Sequence, residues 1–100
     1  MIIYNVTVNI EDDAHEAWLH WMKSKHIPDV VNTGCFTHGR IFRIMVDEQQ
    51  GTSYSIQYSA NTMEDVDRYL ENFAQGLRED AHKQFGGKFT AFRTLLEHIE

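Results

Sequence analysis

The sequence predicts an α+β sandwich with elements in the order β-α-β-β-α-β, in which a four-stranded antiparallel sheet carries two helices on one face. Three observations predict it. Apolar residues alternate at period two in four stretches, as strands require. Two intervening stretches repeat apolar residues at i, i+3, i+4 and i+7, the stripe of a helix that packs on a sheet. Turn-forming residues separate the stretches, notably Asp47-Glu48-Gln49-Gln50-Gly51 and Gly86-Gly87.

The first strand is IIYNVTVNI, where Ile2, Tyr4, Val6, Val8 and Ile10 alternate with Ile3, Asn5, Thr7 and Asn9. Glu11-Asp12-Asp13 follows, three carboxylates that suit a helix N-terminus. The first helix has Ala14, Ala17, Trp18, Trp21 and Met22 as its buried stripe. It should end near His26, because Pro28 disfavours the α region at Ile27 and Lys23, Lys25 and His26 fill the last turn. Residues 33–46 read as a long second strand covered on both sides, with Gly39 a possible bulge. The run from Asp47 to Gly51 is a hairpin loop, and Tyr54, Ile56 and Tyr58 alternate with serines and Gln57 in the third strand. Thr62 with Asp65 resembles a capping box. It opens a second helix whose stripe is Met63, Val66, Tyr69, Leu70, Phe73, Leu77 and Ala81, with Glu64–Arg68 and Glu79–Lys83 paired on the wet side. Gly86-Gly87 stops this helix, and residues 88–98 form the last strand.

This order is the ferredoxin-like arrangement, and right-handed crossovers give the sheet order 4-1-3-2. The helix-free face should carry Asn5, Thr7, Asn9, Ser53, Ser55 and Gln57 beside apolar Ile3, Ile41, Met45, Phe92 and Leu96. A face this mixed seldom stays exposed, so a homodimer formed sheet to sheet is expected.

Composition narrows the functional classes. One hundred residues fit a single domain, residues 1–100, and 42% apolar content supplies a core without any run long enough to span a membrane. The N-terminus lacks the features of a secretion signal, and the single Cys35 permits no internal disulfide, so a cytoplasmic setting is expected. A net charge of −6 without basic runs disfavours nucleic acid. The segment HEAWLH looks like a zinc-protease signature with one residue too many. On an α-helix His15 and His20 diverge by about 140°, so they cannot share an ion, and no metal or cofactor is expected. Phosphate-cradling and nucleophile-elbow motifs are lacking.

The stretch WMKSKHIPDVVNTGCF, Trp21 to Phe36, with the element order and the length, resembles a family of short uncharacterised bacterial proteins defined as a domain of unknown function. The resemblance covers nearly the whole chain and implies a ferredoxin-like fold of the dimeric α+β barrel kind. That superfamily includes cofactor-free monooxygenases, dehydratase-like enzymes, haem-degrading proteins and ligand-sensing domains, so the resemblance implies no single function. No catalytic residue carries over.

With the even-numbered set of the second strand turned toward the helices, Tyr4, Trp21, His26, His38, Arg40 and Tyr58 should converge at one end of the fold as a ligand-binding pocket. Aromatic walls with a few polar groups suit a small organic acid or aromatic ligand. Each has a plainer role: tryptophans on a stripe are usually core, His26 can cap carbonyls, and the tyrosines can bury their rings. Arg40 and Arg93 stand in strand sets where an unpaired guanidinium is costly and calls for an anion or an exposed end. Cys35 and His38 point to opposite faces of a regular strand and form no nucleophile–base pair without a bulge. Two functions remain: a dimeric module that binds a small molecule or a partner protein, and a cofactor-free enzyme with His26 or His38 as general base.

Overall fold

The structure is a computed structural model that describes residues 1–47 and 50–100; Glu48 and Gln49, within the predicted hairpin loop, lie outside the described residues. Strands β1 (Ile2–Ile10), β2 (His38–Arg43), β3 (Thr52–Ala60) and β4 (Phe89–Glu97) form one antiparallel sheet ordered β2-β3-β1-β4, the predicted order read from its other edge. β1 is central, pairing Val6 with Ile56 on one side and with Arg93 on the other. The apolar set of β1 thereby lies over Tyr54, Ile56 and Tyr58, and this face takes the helices. Ile10, Ile56, Val30 and Val66 are its most deeply buried side chains.

The helix-side elements depart from prediction in three places. The first helix does not end at His26. A short 3₁₀ turn (Asp12–Ala14) leads into α1 (His15–Trp21), a π-helical turn (Met22–His26) and α2 (Ile27–Val31). Ile27 stays helical at φ −60° and ψ −47°, and its N–H reaches the carbonyl of Met22, five residues back. A proline ring clashes with the carbonyl four residues earlier in an α-helix, and the wider π turn relieves that contact.

β2 is much shorter than residues 33–46, and its alternation is the reverse of that predicted. After the helix, Gly34 at φ 83° turns the chain, and Cys35 and Phe36 plug one end of the core from a loop. Register puts Gly39 opposite Tyr58 and Ile41 opposite Ile56, on the helix side, so His38, Arg40 and Phe42 lie on the other face. Gly39 is there because nothing larger fits. A Cβ at this position would stand 2.9 Å from the Tyr58 ring and 3.0 Å from Ile27 Cγ2. The predicted bare-face position of Ile41 is corrected accordingly, and Met45 lies beyond the strand.

The second helix is two: α3 (Met63–Asn72) and α4 (Ala74–Phe85), divided at Phe73 (φ −128°, ψ −32°). Thr62 caps α3 by accepting the Asp65 N–H at 3.2 Å, as predicted. The break moves the buried stripe from Val66 and Tyr69 to Ala74, Leu77 and Ala81, leaving Met63, Leu70 and Phe73 largely exposed. Arg68 pairs with Asp65 rather than Glu64, and Glu79 accepts from Gln75. Gly86 and Gly87, the latter at φ 84°, end α4.

Candidate functional site

Between the sheet and the helices lies a cavity of about 50 Å³. β1 gives it Tyr4, Val6 and Val8; the π turn gives Met22 and His26; α4 gives Arg78, Ala81 and His82; β4 gives Phe89, Ala91 and Arg93. The π turn matters here, because it stacks Trp21 on the ring of His26, five residues on, with centroids 4.8 Å apart and planes at 24°. In an α-helix, residues five apart diverge by about 140°. His15 and His20, within the regular part, do diverge: His15 Nε2 hydrogen-bonds the Tyr54 hydroxyl, and His20 is exposed.

One end of the cavity is polar. Arg78 Nη2 donates to the Tyr4 hydroxyl at 3.0 Å, tying α4 to the central strand, while Arg78 Nε is buried without an acceptor. Tyr4 packs beside Tyr69, Phe36 and Tyr58, ring centroids 5.5, 6.0 and 6.3 Å away. Burial pushes the Tyr58 and Tyr69 hydroxyls well above the usual tyrosine range, and nearby tyrosines add to this, so both remain protonated. Arg93 lies one register step along from Tyr4, on the same face. The other end is apolar: Val8, Ala91, Trp18 and Phe89, with His82 stacked on Phe89 at 5.4 Å.

His26 is half-buried, and loss of hydration holds its imidazole below the usual 6.5, against the opposing pull of Asp29 and Asp80. It is therefore neutral at pH 7. Asp80 lies in a separate cleft behind Trp21, with Lys25, Lys83 and Gln84. The Trp21 indole N–H is also buried without an acceptor.

Of the six residues expected to converge, Tyr4, His26 and Tyr58 line the cavity and Trp21 backs it through His26. His38 and Arg40 do not join them, because the reversed alternation of β2 turns both away from the helices. His38 Nε2 hydrogen-bonds Ser59 Oγ at 3.2 Å, and Arg40, opposite Gln57, is exposed and needs no buried counter-charge. Cys35, buried in its loop, is not presented to His38. Arg78 takes the place predicted for Arg40. Its signal was available: Ala74, Leu77, Arg78 and Ala81 have i, i+3, i+4, i+7 spacing, so the guanidinium sits on the buried stripe.

On the helix-free face Asn5, only 8% exposed, donates to Thr7 Oγ1 and Thr94 Oγ1, both at 3.1 Å, and accepts from Ser55 Oγ at 2.6 Å. Gln57 extends this network to Ser55. Around it stand Phe42, Phe92 and Leu96, each more than two-fifths exposed. Among the described residues no three His, Cys, Asp or Glu side chains gather to hold a metal ion, and no helix is long and apolar enough to cross a membrane.

Among solved structures, the chain is similar to a dimeric ferredoxin-like protein from an uncultured marine organism (14% identity, all of both chains covered, TM-score 0.69). It is similar to SnoaB, a cofactor-independent oxygenase from Streptomyces nogalater (12% identity, 99% of this chain and 94% of that one, TM-score 0.68). A third is an ethd family protein from Bacillus halodurans (14% identity, 99% and 100% covered, TM-score 0.69). At such identities the likeness establishes the ferredoxin-like fold alone. No curated protein matches the sequence. The model of one family, the domain of unknown function DUF4286, matches residues 1–99, and the chain belongs to that family.

Proposed function

We propose that the protein is a single-domain, homodimeric cytoplasmic module that takes a small organic molecule into the cavity between sheet and helices. The observation that carries this reading is Arg78. A charged side chain leaning into a cavity with its Nε buried and unpaired is costly unless something else supplies an acceptor. Apolar walls with a few convergent polar groups are the usual make-up of a small-molecule site.

The dimer rests on the helix-free face. Phe42, Phe92 and Leu96 surround a polar network there, and a structure of the same fold is described as dimeric. Sedimentation should show a dimer at micromolar concentration, converted to monomer by Phe92→Glu with the helical signal kept. For the cavity, thermal-shift screening of small molecules should give hits that Ala91→Leu, which fills the space, abolishes. A monomer throughout would remove the dimer. Hits indifferent to Ala91→Leu would remove the cavity as the site.

A second reading, a cofactor-free enzyme with His26 as general base, is favoured by one observation: burial keeps that imidazole unprotonated, in the form that accepts a proton, at pH 7. The similarity to a cofactor-independent oxygenase supports the same reading. His26→Gln should then abolish turnover of a cavity ligand while leaving its binding nearly intact. Equal turnover by both proteins would dismiss His26 as the base.

A further inference from the structure

We infer that the cavity ligand is a short-chain monocarboxylate, its carboxylate on Arg78 and its alkyl end toward Val8 and Ala91, an assignment that rests on the cavity being a ligand site. Charge is the first reason. The protein carries a formal net charge of −6, yet among the described residues no Asp or Glu lines this cavity, whereas two arginines and two histidines do. Neither Arg78 nor Arg93 forms an ion pair among the described residues. In an acidic protein, two guanidiniums on one cavity with no carboxylate partner among the described residues are a site for an anion.

Geometry is the second. Arg78 spends one Nη on the Tyr4 hydroxyl and leaves its buried Nε–H without an acceptor. A planar anion with two oxygens supplies that acceptor, and guanidinium–carboxylate pairing is commonly bidentate. Polarity then grades along the strand axis: Tyr4 and Arg93 mark one end, Val8 and Ala91 the next row, and Phe89 the far end. A charged head with an apolar tail matches this gradient, whereas a polar anion such as phosphate does not.

Size is the third. A cavity of about 50 Å³ is far below the 300–1,000 Å³ or so of sites for drug-sized molecules, and a water needs roughly 10–15 Å³. A ligand of a few heavy atoms is what fits.

Propionate, propionamide, acetate and 1-propanol, titrated at pH 7 into the intact protein while the methyl resonances of Val8, Ala81 and Ala91 are followed, test this directly. Propionate should bind about tenfold or more tightly than its neutral amide isostere, from charge-assisted hydrogen bonding. It should exceed acetate by about fourfold for one buried methylene. Arg78→Met should erase the preference for propionate over propionamide. A circular dichroism melt establishes that this variant is folded, and if it is not, the wild-type series decides alone. Propionamide or 1-propanol binding as well as propionate overturns the carboxylate while leaving the cavity reading intact. A folded Arg78→Met that still discriminates overturns Arg78 as the anchor. No methyl shift with any of the four compounds takes the cavity reading down as well.

Discussion

The two faces of the sheet are built from alternate residues of the same strands, yet they obey different rules. On the helix side β3 offers Tyr54, Ile56 and Tyr58, all nearly inaccessible, packed by dispersion and apolar burial. On the other side it offers Ser53, Ser55, Gln57 and Ser59, and order there comes from hydrogen bonds: Ser55 to Asn5, Asn9 to Ser53, His38 to Ser59. The first face specifies the fold of one chain. The second is polar in the middle, with Phe42, Phe92 and Leu96 exposed around it.

The largest effect that can break this comparison is expected at Ile56. Its side chain has no accessible surface and lies on a strand paired on both sides, so Ile56→Ala removes buried methylenes and leaves a cavity that the sheet cannot close. A loss of about 2–5 kcal/mol is expected by urea denaturation. A loss below 1 kcal/mol would mean that the helix layer is loosely packed and that the two faces differ less than their burial implies.

Gly39 tests the same face by addition. Gly39→Ala puts a methyl within 3.0 Å of the Tyr58 ring and Ile27, so edge strand β2 or the α2 helix must move. Overpacking of this kind costs about 1–3 kcal/mol. The matched change one residue on, Arg40→Ala, acts on the open face and should cost little in a monomer. Equal effects would contradict the register of β2.

Proton binding separates the faces by a third route. Burial holds His26 below its usual pKa of 6.5, so the unfolded chain takes up a proton that the folded chain resists. Its contribution to stability is therefore complete above pH 6.5 and declines as the pH falls below that value. The urea midpoint should drop between pH 7.5 and 5.5, and His26→Gln should flatten that drop. His38→Gln, on the open face, serves as the control.

What was legible in the sequence follows the same division. Alternation marked β1 and β3 with their facing, and Thr62 with Asp65 marked a helix start that the structure keeps. Legibility failed where two local rules competed. Pro28 ordinarily ends a helix, but widening one turn accommodates it, and no local pattern announces that choice. β2 reads as apolar on both sets, so the alternation that usually reveals facing is silent. The ring of Tyr58, nineteen positions away in sequence, decides it by excluding any side chain at Gly39. The candidate site inherits both outcomes. Tyr4 and Tyr58 sit on well-read strands and meet in the cavity, His26 joins them from the π turn that no local pattern announced, and His38 and Arg40 sit on β2 and do not. Arg78 went unread because a charged residue on a helical stripe is ordinarily assigned to solvent, although its spacing from Ala74 and Ala81 places it inward.

The smallest expected effect is also the one that best sharpens the comparison. Ser55 Oγ donates to Asn5 Oδ1 at 2.6 Å and accepts from Gln57 Nε2 at 3.3 Å, in the middle of the helix-free face. In a monomer, removing the half-buried Ser55 hydroxyl opens a path for water to the otherwise buried Asn5 Oδ1, and the cost should be no more than about 0.5–1.5 kcal/mol. In the proposed dimer water is excluded from that network, and an Asn5 carbonyl without its donor bears the desolvation penalty of a buried polar group, about 1–3 kcal/mol. The same substitution should therefore cost more at protein concentrations where the dimer forms than at concentrations where it dissociates. Urea midpoints measured at both concentrations, for Ser55→Ala and wild type together, give the difference. A concentration-independent cost would show that the polar centre of this face stays hydrated, with the partner, if one docks, seated only on the apolar residues around it.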